Sequence, residues 1–212
     1  SEQKPASSYR DALSQRKVLI LLGLQGAMIF FLAIGIAFIP TFLEDVRGIK
    51  PAVIAVLGAF PAVGSAVFGL VASRSARIQN NPLFGIAIGT GITVMGLFIF
   101  RQFSQPPLLA FAFFLRGGFF TSWIMFIAAI GSASNPLHRA RSFAASEVIG
   151  GLCYAMGPMV GGLLYSVRPG LPFEVSIALG MLLIPILLAV QKRLRESAAI
   201  ELATPAEPAL LQ

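Results

Sequence analysis

The chain has few residues able to do chemistry, and two of them are charged residues set inside apolar runs. Arg116 occurs in Phe113-Phe114-Leu115-Arg116-Gly117-Gly118-Phe119-Phe120. Counted as helix from Pro107, it lies about 14 Å from the start of its run. An arginine at that depth faces a cavity, a partner or a substrate, or is bonded to backbone carbonyls of a neighbouring broken helix. Glu147 is the only acid more than one turn inside such a run, about 9 Å from its start at Ser142, Glu174 lying in the first turn of its own run. The two differ in depth by about 13 Å, which argues against direct pairing. Arg74 and Arg77, at neighbouring run ends, are better partners, and with Glu147 they form a candidate inner-gate cluster that breaks as a cavity opens. Gln25, Trp123 and Tyr154 are polar or amphipathic, and with Phe119 and Phe120 they are candidates to line a central cavity.

Other chemistries are excluded by counting. One cysteine, Cys153, allows no internal disulfide and no multi-cysteine metal site, and one histidine, His138, allows no multi-histidine metal or haem site. An intramembrane serine protease needs a serine and a histidine on facing helices, whereas His138 lies in a loop four residues after Ser134. No nucleophile, metal site or phosphate-binding loop is recognisable, so neither an enzyme nor a cofactor is expected.

The elements that must position these residues follow from composition. The 212 residues are 56% hydrophobic and 12% charged, with a mean hydropathy of +0.82. A soluble surface needs about 25% charged residues, so the chain reads as an all-α membrane protein. Six apolar runs suit membrane-spanning helices: Val18 to Leu43, Pro51 to Ala72, a run from Asn81-Pro82 to Phe100, Pro107 to Ile130, Ser142 to Tyr165, and Leu171 to Val190. Asn81 is placed to cap span three, with Pro82 in its first turn. Residues 1–17 form a cytoplasmic lead-in in which Tyr9 to Lys17 suits a short helix. Residues 18–190 form the six-helix domain, and residues 191–212 a cytoplasmic tail expected to be disordered. The chain opens on Ser1 rather than methionine, which suggests a piece of a longer chain or a processed one.

Lysines and arginines alternate in abundance from loop to loop. Eleven fall on the side of the two tails and the loops after spans two and four; four, Arg47, Lys50, Arg101 and Arg168, fall on the other. That bias predicts both termini in the cytoplasm, and it assigns the net charge of +7 to topology rather than to nucleic acid; the expected location is the plasma (inner) membrane.

Small residues recur along the spans. Span three carries Gly85-x-x-x-Gly89, span two has Gly58, Ala62, Gly64, Ala66 and Gly69, and span five has Gly150 and Gly151. Such residues allow close backbone approach, the main packing device in lipid. Span five also contains Gly157-Pro158-Met159-Val160-Gly161-Gly162, where proline removes a helix hydrogen bond and the glycines favour a kink or a packing face.

The loop after span two reads Gly69-Leu70-Val71-Ala72-Ser73-Arg74-Ser75-Ala76-Arg77. Together with six spans, both ends inside, and the Gly-Pro-x-x-Gly-Gly helix, this pattern resembles one six-helix half of a major facilitator superfamily transporter over residues 9–195. Ser73 stands where that family usually has aspartate, Ala76 where it has glycine, and Ile78 where it has a closing basic residue, a decay more usual in the C-terminal half. The resemblance implies two inverted three-helix repeats, in which Leu24-Gln25-Gly26 and Leu115-Arg116-Gly117 correspond. It implies a secondary transporter for a small organic solute, coupled most often to protons, with a slight lean to export of amphipathic compounds. It also implies a missing N-terminal half or a second copy as partner. Two other classes compete. An aquaporin-like channel would use Asn81-Pro82 and Asn135-Pro136 as paired boxes, but here they read as helix starts. A non-transporting six-helix scaffold or assembly protein, or an uptake permease, is the remaining alternative.

Overall fold

The computed structural model describes residues 15–203, with side chains through Glu196. The residues expected to form a lead-in helix lie almost wholly outside this range. Ten helices and no strands are present among the described residues. They are α1 (Arg16–Ile36), α2 (Ile39–Asp45), α3 (Pro51–Leu57), α4 (Phe60–Arg74), α5 (Ala76–Gln79), α6 (Pro82–Gln102), α7 (Pro106–Leu115), α8 (Gly117–Ala133), α9 (Arg139–Val167) and α10 (Leu171–Ala203). Joined end to end, they make six helices long and apolar enough to cross a membrane, as a multi-pass membrane protein requires.

Proline starts much of this structure. Pro40, Pro51, Pro61, Pro82 and Pro106 each occupy the first turn of a helix, where the missing N–H needs no partner. Two of these starts fall inside spans, so span one is interrupted at Ala37–Phe38 and span two at Gly58–Ala59. Span four is interrupted at Arg116, ahead of two glycines. The helix of span five runs through Pro158 without interruption. Asn81 stands before span three as expected, but it is not a side-chain cap: its Nδ2 donates to the Arg77 carbonyl at 2.9 Å. Span six continues to Ala203, past the end expected at Val190, because Gln191 to Ala203 contains mostly strong helix formers and no proline or glycine. Gly48 turns the chain between spans one and two with φ +65°, a conformation that favours glycine.

Span one packs against spans five and six, span three against spans four and six, and span two against span four. The core lies among spans one, three and four: 67% of the most apolar window of span three is buried, against 22% for span two and 17% for span five. Phe100, Phe113, Phe119 and Phe126 are fully buried there, with Phe100 and Phe113 edge to face at 4.8 Å, and Phe173 of span six is fully buried as well. One end of the bundle is closed by charge. Arg101 Nη2 lies 3.2 Å from Glu174 Oε1, Arg168 pairs with the other oxygen of Glu174, and Arg47 donates to the Arg101 carbonyl.

Candidate functional site

Span four delivers Arg116 at a break. The helix ends at Leu115, Arg116 keeps φ −59° and ψ −20°, and the next helix starts at Gly117. The two following glycines let neighbours touch the backbone on either side. A Cβ on Gly117 would collide with Gly64 and Ser65 of span two, and one on Gly118 would lie 2.7 Å from the Gly89 carbonyl of span three. Spans two and three therefore grip the backbone at the break, which keeps Arg116 at the groove between spans two and four.

That groove has a volume of about 670 Å³ and is lined by Gly58, Pro61, Ala62, Ser65, Arg116 and Phe120, among others. The small side chains of span two leave the space. The Arg116 side chain is only partly exposed, and its Nε is buried without a partner. Among the described residues, no carboxylate or backbone carbonyl bonds the Arg116 side chain. The alternative of an arginine satisfied by the carbonyls of a broken neighbour is thus not what the structure has. Tyr154 of span five lies near it.

Behind Arg116 stands an aromatic cluster. Phe119 is fully buried and contacts Phe120, Trp123 and Tyr154 with ring centroids at 5.5, 5.8 and 6.3 Å; Trp123 and Tyr154 are 6.0 Å apart. Arg116, Phe119, Trp123 and Tyr154 are therefore brought into one neighbourhood. Phe120 is partly exposed and forms a wall of the groove itself.

Gln25 is placed differently. It is fully buried between spans one and five, where its Oε1 accepts from Ser146 Oγ at 2.8 Å and its Nε2 has no partner. It lies within the uninterrupted α1, so it and Arg116, matched by the resemblance, stand in unlike backbone settings. Gly157 and Gly161 are buried against Ala33, Ile34 and Phe38 of span one, with Gly162 close to the Phe38 ring; Pro158 lies between them. This glycine stretch forms a packing face.

The gate candidates do not pair. Glu147 is exposed on span five and makes no ion pair among the described residues. Arg74 is exposed at the end of α4, and Arg77 on α5 lies 4.4 Å over the Phe84 ring of span three. Arg77 is turned towards the end of span six, whereas span five packs on span one, so helix placement separates these charges.

Three polar residues make contacts that the sequence does not signal. Ser176 Oγ accepts from the Gly35 amide and donates to the Phe31 carbonyl, both at 2.7 Å, and so sits between two groups that face each other across one turn of span one. Thr121 Oγ1 donates to Ser65 and Gly117 carbonyls at 3.2 Å. Gln191 Oε1 accepts from the Leu83 amide at 3.0 Å, tying span six to the start of span three. Isolated hydroxyls in apolar runs carry little positional signal, although the closeness of Ser65 to Gly64 and of Thr121 to Gly117 and Gly118 marks a small-residue crossing. Among the described residues, no group of three or more histidine, cysteine or acidic side chains is placed to hold a metal. No family model, curated protein or solved structure matches the chain.

Proposed function

We propose that this chain is a six-span bundle of a secondary transporter of the major facilitator type, moving a small organic solute by alternating access. The observation that carries the reading is Arg116, unbonded by carboxylate or carbonyl, at a helix break beside an open groove and next to Phe119, Trp123 and Tyr154. A half-buried guanidinium without a bonded partner favours an anionic or strongly polar group, and the aromatic faces favour an apolar body. The solute class that satisfies both is an amphipathic organic compound with an acidic or acceptor-rich head.

The groove is one wall of a path. A second six-span bundle, from the same chain or from a second copy, supplies the other wall, and the apolar faces of spans two and five offer the surface for it. A proton gradient is the proposed coupling source, with export the favoured direction. The gate role of Arg74, Arg77 and Glu147 belongs to a second conformation, in which the charges meet.

Proteoliposomes bearing an imposed pH gradient test this reading with amphipathic fluorescent anions as solutes. Gradient-dependent flux is expected, reduced at least tenfold by Arg116→Gln and only partly by Arg116→Lys. Flux that ignores the gradient, or survives Arg116→Gln, counts against it. Glu147→Gln should change maleimide labelling of Cys153, the single cysteine, by shifting the balance of conformations. Unchanged labelling removes Glu147 from the gate. The same uncovered faces of spans two and five also favour a second reading, a non-transporting scaffold or assembly protein, which predicts no flux and a permanent partner on those faces.

A further inference from the structure

A cleft of about 460 Å³ opens between the start of span three and the end of span six, away from the Arg116 groove. Three cations line it: Arg77 from α5, and Lys192 and Arg195, three residues apart on one face of α10. One carboxylate, Glu196, lies among them. It is 3.9 Å from Lys192 Nζ with both side chains largely exposed, a pair too weak to neutralise the cleft. Arg195 has no ion pair or hydrogen bond among the described residues. Arg77 is oriented by the Phe84 ring beneath it.

The walls are fixed by hydrogen bonds. Gln191 holds the Leu83 amide, Asn81 Nδ2 holds the Arg77 carbonyl, and the Asn81 carbonyl takes the Phe84 and Gly85 amides. The first-turn amides of span three are thereby used, so an anion here would meet side-chain cations rather than a bare helix end. Phe84 and Leu188 form an apolar floor where the two spans enter their hydrophobic stretches.

We propose that this cleft holds the phosphate headgroup of an anionic phospholipid, with its acyl chains along the Phe84–Leu188 side. Three cations above an apolar floor at the mouth of two spans match a headgroup joined to hydrocarbon. A free phosphate would use only the cations. Each cation near an anionic lipid surface contributes about fivefold in affinity, so the three together contribute about 100-fold.

The test is native mass spectrometry of the chain in a neutral detergent, titrated separately with phosphatidylglycerol, phosphatidylcholine and inorganic phosphate. Phosphatidylglycerol is expected to be retained in preference to phosphatidylcholine. The Arg77→Gln, Lys192→Gln, Arg195→Gln triple variant should lose about 100-fold in that affinity. A control triple, Arg16→Gln, Lys50→Gln and Arg139→Gln, should stay within about threefold of wild type, because those charges lie outside the cleft. Should the first triple variant fail to fold, Arg195→Gln alone, which breaks no contact, should weaken binding about fivefold. Equal retention of the two lipids, undiminished binding by the cleft variants, or an equal loss in the control triple overturns the proposal. Inorganic phosphate that displaces the lipid at equal concentration also overturns it, since the site would then be one for small anions.

Discussion

The seam between spans one and six and the seam between spans two and four both combine glycine with a hydroxyl, yet only the first is filled along its length. At the first, Gly35 lets Ser176 approach so closely that the hydroxyl bridges the Phe31 carbonyl and the Gly35 amide, and Ile39, Phe42 and Phe173 fill the space beyond. At the second, Gly64 and Gly117 bring two backbones together, but Thr121 divides its hydroxyl between its own helix and Ser65. Cavities of about 670 and 300 Å³ adjoin that crossing. The difference lies in side-chain volume. Beyond its glycine crossing, span two presents Ala62, Ala66 and Gly69 where the other seam presents large apolar side chains. A tight backbone crossing flanked by unfilled space holds Arg116 in place without covering it.

The largest expected effect comes from breaking the open seam at its crossing. A Cβ on Gly64 would run into the Phe114 carbonyl, and neither backbone can yield without moving the Arg116 break. Gly64→Ala should destabilise the folded bundle by about 3 kcal/mol or more, read as a lower melting temperature in detergent and lost monodispersity. A melt within a degree of wild type would mean that the crossing does not hold span two. The closed seam should respond less. Ser176→Ala removes two buried hydrogen bonds but no backbone contact, for a loss of about 1.5 kcal/mol by the same melt. Thr121→Val should cost about 0.5 kcal/mol, because Thr121 makes longer bonds and one of them stays within its own helix. If Thr121→Val costs more than Ser176→Ala, the contrast between the seams is wrong.

The six apolar runs and most of their starts were legible in the residues, because about 20 apolar residues opened by Pro51 or Pro82 leave little choice in a bilayer. The breaks were less legible. Pro158 looked the strongest candidate, yet the helix runs on through it with its glycines packed on span one. The breaks fall before Pro40 and Pro61 and at Arg116, and at two of them a neighbour reaches the backbone: Ser176 one turn before the first, Gly64 and Ser65 at the last. Only tertiary contact shows which prolines and glycines interrupt a helix. The candidate site was half legible for the same reason. Depth along a span singled out Arg116, and spacing put Phe119 and Trp123 near it. Azimuth around each helix, which separates Glu147 from Arg77 and seals Gln25 away from the groove, depends on packing that an almost uniformly apolar run does not encode.

The smallest expected effect on stability is the most informative about the open seam. Ala66 is exposed on span two and lines the Arg116 groove without filling it. Ala66→Leu adds three carbons to empty space, so no backbone has to shift and melting should stay within about 0.5 kcal/mol of wild type. The same change should occupy volume in front of Arg116 and Phe120. If the groove is a solute path, flux should fall several-fold while stability holds, and Ala66→Ser, which adds one atom, should fall between wild type and leucine. If a permanent partner covers span two, the leucine should instead weaken assembly, visible as a shift in size-exclusion elution, and melting of the isolated bundle should again be unchanged. A large destabilisation by Ala66→Leu would mean that the groove is already filled, and the contrast between a closed and an open seam would fail with it.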